Sequence, residues 1–520
     1  MGSLPPPKRI LLLTNSEHGQ ANVFLATAYA LLTADSNIEV HFASFPRIHS
    51  SVLATSAHAL QAEPSARPII FRPISGIDMV TAWSRPSLTA ERESLAETHS
   101  TLHHAVRRML LLLHVTLPWT GPEFHQITNS ITDICNTVQP VLTAVDPVFS
   151  PGLTVLRHLG ARFVVLSPNT IKDFSMPFQP DGEALWRYPC IGSPHPFPVP
   201  VAHIPANILL VVLALVIARF FDFHRREVQE YLAQHGGGAV LTTLNDLSLD
   251  SKLGIKFLVA NLREIEFPLR VVPEHVVPCG PMLRPTLPLK MVDAELAGWL
   301  AKGPTVYINL GTHVFLDEDA AVEMAGALRI MFRAVDGVLW RDGRLRGLRV
   351  LWKLSRKGKY EVREKGCRVW ETLGREMEDG RVRVVEWIDA EPSAVLESRT
   401  IVCAVHHGGA NSFLEAVDAG VPQVVLPVWM DTYDFARRAE VLGIGRWGNQ
   451  REEGVVCRAK ELGDVLIDVL VGGRASVYRS RARELGELCR RQGGGRVRAA
   501  RAILREVESV DYGPGGEHEL

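Results

Sequence analysis

The chain has 520 residues, 46% hydrophobic and 22% charged, with a formal net charge of -1 from 56 basic and 57 acidic residues. That length exceeds one ordinary core and points to two or three domains. The even charge balance provides no basic field for nucleic acid, and seven scattered cysteines without C-x-x-C spacing argue against a zinc site or a disulfide framework. A reducing, cytoplasmic setting follows.

In chain order, the apolar run 10–13 reads as a first buried strand and is too short for the core of a signal peptide. Further strands are expected over 38–42, 163–166 and 240–244, with helices over 22–32, 93–113 and 223–233. Between them lies an apolar segment, 201–221, whose strictly apolar centre, 208–218, is short against the roughly 20 residues of a bilayer span. It reads as a buried or interfacial helix, with peripheral contact to a membrane surface left open. Pro268, Pro273, Pro278, Pro281, Pro285 and Pro288 then mark a semi-rigid linker. Alternation resumes with strands over 305–310, 350–354, 382–386, 401–405 and 423–427. Helices are expected over 319–332 and 411–419, and a basic helix over 474–506 ends the chain. The pattern is α/β with parallel sheets. Its division is an N-terminal domain over 8–268, a linker over 269–290, a second domain over 291–472, a returning helix over 473–508 and a tail over 509–520.

The chemistry concentrates between Trp387 and Asn449. An apolar strand runs into His406-His407-Gly408-Gly409-Ala410-Asn411-Ser412, then a helix that stops at Gly420 before Val421-Pro422. A helix N-terminus offers free N–H groups and partial positive charge, which suits a phosphate. The two glycines allow close backbone approach, and His407, Asn411 and Ser412 supply side-chain donors.

These residues, with Trp387, Glu415, Pro427 and Asp431, resemble the donor-binding signature of the family-1 UDP-glycosyltransferases, most closely in its fungal form. Weaker similarity covers nearly the whole chain, including 307–312 and Cys279-Gly280-Pro281. The resemblance implies a GT-B fold, two Rossmann-like domains facing across a cleft, with the last helix returning to the N-terminal domain. It implies that Trp387 stacks on uracil and Glu415 holds the ribose hydroxyls. His407, Gly408, Gly409, Asn411 and Ser412 would bind the diphosphate, with Gly311 and Thr312 opposite. Asp431 would bond sugar hydroxyls, and Thr432 follows it in the sugar subsite. The plant-type signature has Gln at that position and Trp where this chain has Ala410, so glucose is only the default donor.

Inversion needs a base, and a histidine serves near neutral pH. His18, just after the first strand, matches the family's catalytic histidine. Asp146, at the end of a later apolar strand, matches the carboxylate that fixes its tautomer. Asp317-Glu318-Asp319 contains a D-x-D pattern, but it stands where a helix begins and reads as helix-start acids. No metal and no cofactor are expected. The UDP-sugar is a co-substrate, and the other partner is a small hydrophobic hydroxylated acceptor, such as a specialised metabolite. Two other readings exist. A nicotinamide-dependent oxidoreductase needs a G-x-G-x-x-G that 15–24 lacks, and a non-catalytic sugar-nucleotide binder would not require both His18 and Asp146.

Overall fold

The computed structural model describes residues 7–86, 88, 102–193, 195–248, 254–338, 343–450 and 456–508. Two parallel sheets carry the fold. The first comprises β1 (Lys8–Leu13), β2 (Ile38–Ser44), β3 (Ile70–Pro73), β4 (Leu142–Val145), β5 (Phe163–Ser167), β6 (Phe257–Val259) and β7 (Val276–Pro278), in the order β3-β2-β1-β4-β5-β6-β7. The second comprises β8 (Thr305–Asn309), β9 (Arg349–Lys353), β10 (Val382–Val385), β11 (Ile401–His406), β12 (Gln423–Val425) and β13 (Gly445–Trp447), in the order β10-β9-β8-β11-β12-β13. Near-continuous apolar runs such as Ile10–Leu13, fully buried, suit strands covered on both faces by helices.

Each sheet reverses its strand order once, between β1 and β4 and between β8 and β11. At such switch points the loops leaving neighbouring strands diverge and open a crevice. Leu13 pairs with Val145, so Thr14 and Asp146 emerge side by side. In the second sheet Asn309 lies beside Lys353 on one flank and beside His406 on the other.

The end of the chain consists of two helices where the sequence suggests one. Ala475–Arg490 packs on the helix Ala410–Ala419, and Gly494–Glu508 packs on the helix His18–Ala34 of the first domain. Gln492, Gly493 and Gly494 all have positive φ, which breaks the run and lets the chain cross between domains. Glu506 anchors the far end, accepting from Lys256 at 2.5 Å, while its carbonyl accepts from Arg162 at 3.1 Å.

The structure corrects two further expected elements and describes part of a third. The strand expected over 240–244 does not form, because its backbone is bonded by side chains. Leu241 N–H donates to Gln229 Oε1 at 2.7 Å and Thr242 N–H to Thr154 Oγ1 at 3.0 Å, and the helix Leu244–Ser248 follows. The proline-rich stretch contains β7, an edge strand on which Pro278 is tolerated. The helix expected over 93–113 is described from 102 as Leu102–Thr116, and its earlier part lies outside the described residues.

The apolar segment forms the helix Ile204–Phe220. Asn207 ties it down, accepting from Cys190 N–H at 2.8 Å and donating to the carbonyls of Leu185 and Tyr188 at 2.8 and 2.9 Å. Its other side is open, with Leu209 at 54%, Leu215 at 63% and Phe220 at 55% exposure. By length and composition the helical run Val201–His235 could cross a membrane.

Candidate active site

The two switch points face one cavity of about 610 Å³. From the first domain it is lined by His18 and by an apolar wall of Met79, Trp83, Leu111, Leu112 and Val115. Of the residues singled out in the sequence, His18, Gly311, Thr312, Trp387, His407, Gly409, Asn411, Ser412, Glu415, Asp431 and Thr432 line it together. Asp146 and Gly408 lie behind its wall.

His18 opens the helix His18–Ala34, whose N-cap Glu17 accepts from Gln20 N–H. Its ring is open to the cleft, yet burial of its surroundings and then the Arg284 charge lower its pKa below 6.5, against the opposing pull of Glu17. A neutral imidazole is the form that accepts a proton.

Asp146 is fully buried. Its Oδ2 accepts from Thr14 Oγ1 at 2.9 Å and Asn15 Nδ2 at 2.7 Å, and its Oδ1 accepts from Val148 N–H at 2.9 Å. Burial pushes its pKa up to about 7 against those hydrogen bonds. Among the described residues no hydrogen bond or ion pair joins it to His18. The direct contact expected from the sequence is replaced by an indirect one, in which Asp146 holds the loop that presents His18.

On the donor side, Gly409 is the N-cap of Ala410–Ala419 and provides no side-chain cap. Phe413 is the first residue to bond back, to Gly409 O at 3.0 Å, so the N–H groups of Ala410, Asn411 and Ser412 have no partner within the helix. Asn411 reaches across the cleft to the His18 carbonyl at 3.4 Å.

The glycines have specific reasons. A Cβ on Gly311, at φ +82°, would lie 2.7 Å from His407 Cε1, and one on Gly409 would lie 2.5 Å from His407 Nε2. The His407 ring is thus held between two backbones that only glycine allows. A Cβ on Gly408, at φ +85°, would meet the Thr432 carbonyl at 2.8 Å. His406 sets this loop from beneath: its Nδ1 accepts from Gly408 N–H at 3.1 Å, so its Nε2–H donates to Gln423 Oε1 at 2.7 Å. Burial lowers His406 to about 4 and His407 to about 3. His407 is therefore neutral, and it can donate a hydrogen bond to a phosphate but cannot supply a charge. Its Nδ1 is buried without a hydrogen-bond partner among the described residues.

Trp387 is 64% exposed. Burial, then the neighbouring Glu391, raises Glu415 to about 8. Asp431 opens to the cleft, and desolvation by the cleft walls followed by the charges of Asp173 and Asp434 raises it to about 7. Thr432 lines the cavity, but its hydroxyl accepts from the N–H groups of Val428 and Trp429 at 3.2 and 3.1 Å and donates to the Trp429 carbonyl. That hydroxyl shapes its own loop from within. Asp317 caps its helix through Ala320 N–H at 2.9 Å and Asp319 pairs with Arg368, and neither lines the cavity.

Sequence reasoning missed many polar lining residues, among them Asp173, Arg284, His313 and Lys353. Only Lys353 carries a readable signal, a cation directly after the apolar run 350–352.

A family profile described as erythromycin biosynthesis protein CIII-like, C-terminal domain, matches residues 375–466. The chain is 32% identical over 517 residues to the glycosyltransferase sdnJ of Sordaria araneosa, covering 95% of this chain and 97% of that one. It is 28% identical over 396 residues to the human 2-hydroxyacylsphingosine 1-beta-galactosyltransferase, covering 71% of this chain and 59% of the human one. Among solved structures, a UDP-glucosyltransferase from Polygonum tinctorium aligns with a TM-score of 0.62 at 17% identity, over 97% of this chain and all of that one. Phytolacca americana UGT2 aligns at 0.59 and 16%, over 98% and all of each respectively. Two parallel-sheet domains meeting at one nucleotide-sized cleft, together with a relative similar from end to end, make this chain a member of the UDP-glycosyltransferase family with the GT-B fold.

Proposed function

We propose that the enzyme transfers a neutral hexose, glucose by default, from its UDP conjugate to a hydroxyl of a small lipophilic acceptor, with inversion. The observation that carries this reading is that His18, an apolar wall and the glycine-bearing donor loop line the same cavity. Neutral His18 takes the acceptor proton as the oxygen attacks the anomeric carbon from the face opposite UDP. The bond from the anomeric carbon to the diphosphate oxygen breaks, and the electron pair leaves with UDP. The N–H groups opening Ala410–Ala419, with Ser412 and His407 as donors, receive the leaving oxygens. Trp387, Glu415 and Asp431 hold uracil, ribose and sugar. The reaction needs no metal in this reading, since these donors take the place of a cation bridge.

The acceptor is a specialised metabolite in this reading, supported by similarity to the profile named for erythromycin biosynthesis. The enzyme works in the cytoplasm with peripheral membrane contact through 201–221. A span through that helix would strip Asn207 of its protein partners and separate His18 from the donor loop. UDP release with UDP-glucose and a panel of phenolic and terpenoid alcohols, in EDTA, tests the reading. A β-glucoside formed at full rate supports it, while dependence on an added divalent cation or formation of an α-glucoside refutes it.

A further inference from the structure

The cavity is acidic, although a donor site of this kind must hold a dianionic diphosphate. Glu17, Asp173, Asp389, Glu391 and Asp431 line it, as does Asp434, which is already paired with Lys172 and Arg437. Among the described lining residues only Arg284 and Lys353 carry a permanent positive charge. Arg284 is already engaged, in an ion pair with Glu391. His407 is neutral. The helix N-terminus offers only about half an elementary charge.

Lys353 is the remaining cation, and its setting is unusual. It ends β9, level with Asn309 of β8, and is only 8% exposed. Its Nζ donates to the Gly311 carbonyl at 3.1 Å and stands 4.5 Å from the centre of the Trp387 ring. No carboxylate pairs with it among the described residues. Burial lowers its pKa, and its charge acts on His407. A buried ammonium balanced only by a carbonyl dipole and a π face is costly. An arriving anion relieves that cost, and the charge-assisted bond is strong in so dry a place.

We propose that Lys353 is the cation of the donor site, pairing through Nζ with the diphosphate of the bound UDP-sugar and with the charge that grows on the leaving UDP. It sits at the junction of the three groups that reach the nucleotide, namely the Gly311 loop, the His407 ring and Trp387. The proposal rests on the donor-site reading and adds to it a residue outside the signature segment. A merely structural lysine, holding Gly311 and Trp387 in place, is the competing role.

Calorimetric titration of Lys353→Met and Lys353→Arg with UDP and, separately, with uridine decides between them. Uridine has the base and the ribose but no phosphate. The proposal expects Lys353→Met to bind UDP at least tenfold more weakly with uridine affinity unchanged within twofold. Lys353→Arg, which keeps the charge, should recover most of the loss. Equal weakening of UDP and uridine would overturn it in favour of the structural role, and so would unchanged UDP affinity. Retained uridine binding also reports that the variant is folded. Wild-type protein that bound neither ligand would refute the donor-site reading itself, a result distinguishable from either outcome in the variants.

Discussion

His18 accepts a proton only while neutral, and its lowered pKa keeps it so down to below pH 6.5. The expected profile of kcat/KM has an acid limb that inflects below pH 6.5. That limb should persist in Asp431→Asn, because Asp431 titrates near 7 by contrast. A limb that vanished with Asp431 would assign it to the sugar subsite. The same carboxylate bears on donor choice. Asp431 opens to the cleft beside Asp173 and Asp434, so a carboxylate on the sugar is repelled. UDP-glucuronate should be used at least tenfold less efficiently than UDP-glucose, and the gap should widen from pH 6 to pH 8 as Asp431 ionises. Equal use of both donors at pH 8 contradicts this. At this scale the donor loop was legible, because glycines and histidines packed into one turn before a helix suit little besides an anion. Asp146 was legible as a buried strand-end acid, but its partners were not, since Thr14 and Asn15 become its neighbours only through the β1–β4 register. The loop bonds of the Thr432 hydroxyl were not legible either, because no spacing reveals the shape of that loop.

At the scale of elements, β11 ends in a histidine that stays neutral inside the sheet. The folded form refuses a proton down to about pH 4, whereas the unfolded chain takes it up near 6.5. His406 therefore lowers stability as pH falls through that window, by up to about 3 kcal/mol at about 1.4 kcal/mol per pKa unit. Denaturant melts of His406→Asn should show the variant gaining on the wild type as pH drops from 6.5 to 4. A constant difference would mean that His406 is not held neutral. The helix Ile204–Phe220 makes a second element-scale prediction. Phe220, Phe221 and Phe223 stand exposed beside Arg219 and Arg226, an arrangement suited to the boundary of an anionic bilayer. Sedimentation with anionic vesicles should fall several-fold in Leu209→Ser/Leu215→Ser/Phe220→Ser, with turnover of a soluble acceptor unchanged. Undiminished sedimentation contradicts the assignment. Hydropathy made this helix conspicuous in the sequence, but only the three bonds of Asn207 show how it is fastened. The break at 491–494 was not legible, because the surrounding run is helix-forming and the crossing is dictated by the distance between domains.

At the scale of the molecule, the two domains are joined by buried charges. Arg438 donates to Glu266 Oε1 at 2.9 and 2.7 Å, Lys172 pairs with Asp434, and Arg437 bonds Asp434 at 2.7 Å and the Ser193 carbonyl. The helix Thr432–Val441, which begins at the cavity wall, is thereby fixed against the first domain. Removing one partner strands the other, so Arg438→Leu should cost about 3–5 kcal/mol in denaturant unfolding. A loss below about 1 kcal/mol would show the clamp to be dispensable. The two-domain plan was legible from the strand–helix alternation on either side of the prolines. The clamp was not, since its charges lie far apart in sequence and look like ordinary surface residues.

The central claim is that a histidine from one domain activates the acceptor against a UDP-sugar held by the other. Acceptor-dependent UDP release by His18→Ala, beside the wild type and with UDP affinity measured on the same samples, tests it most directly. The expected result is at least a hundredfold loss of turnover with UDP binding intact. Turnover unaffected by the substitution would contradict it.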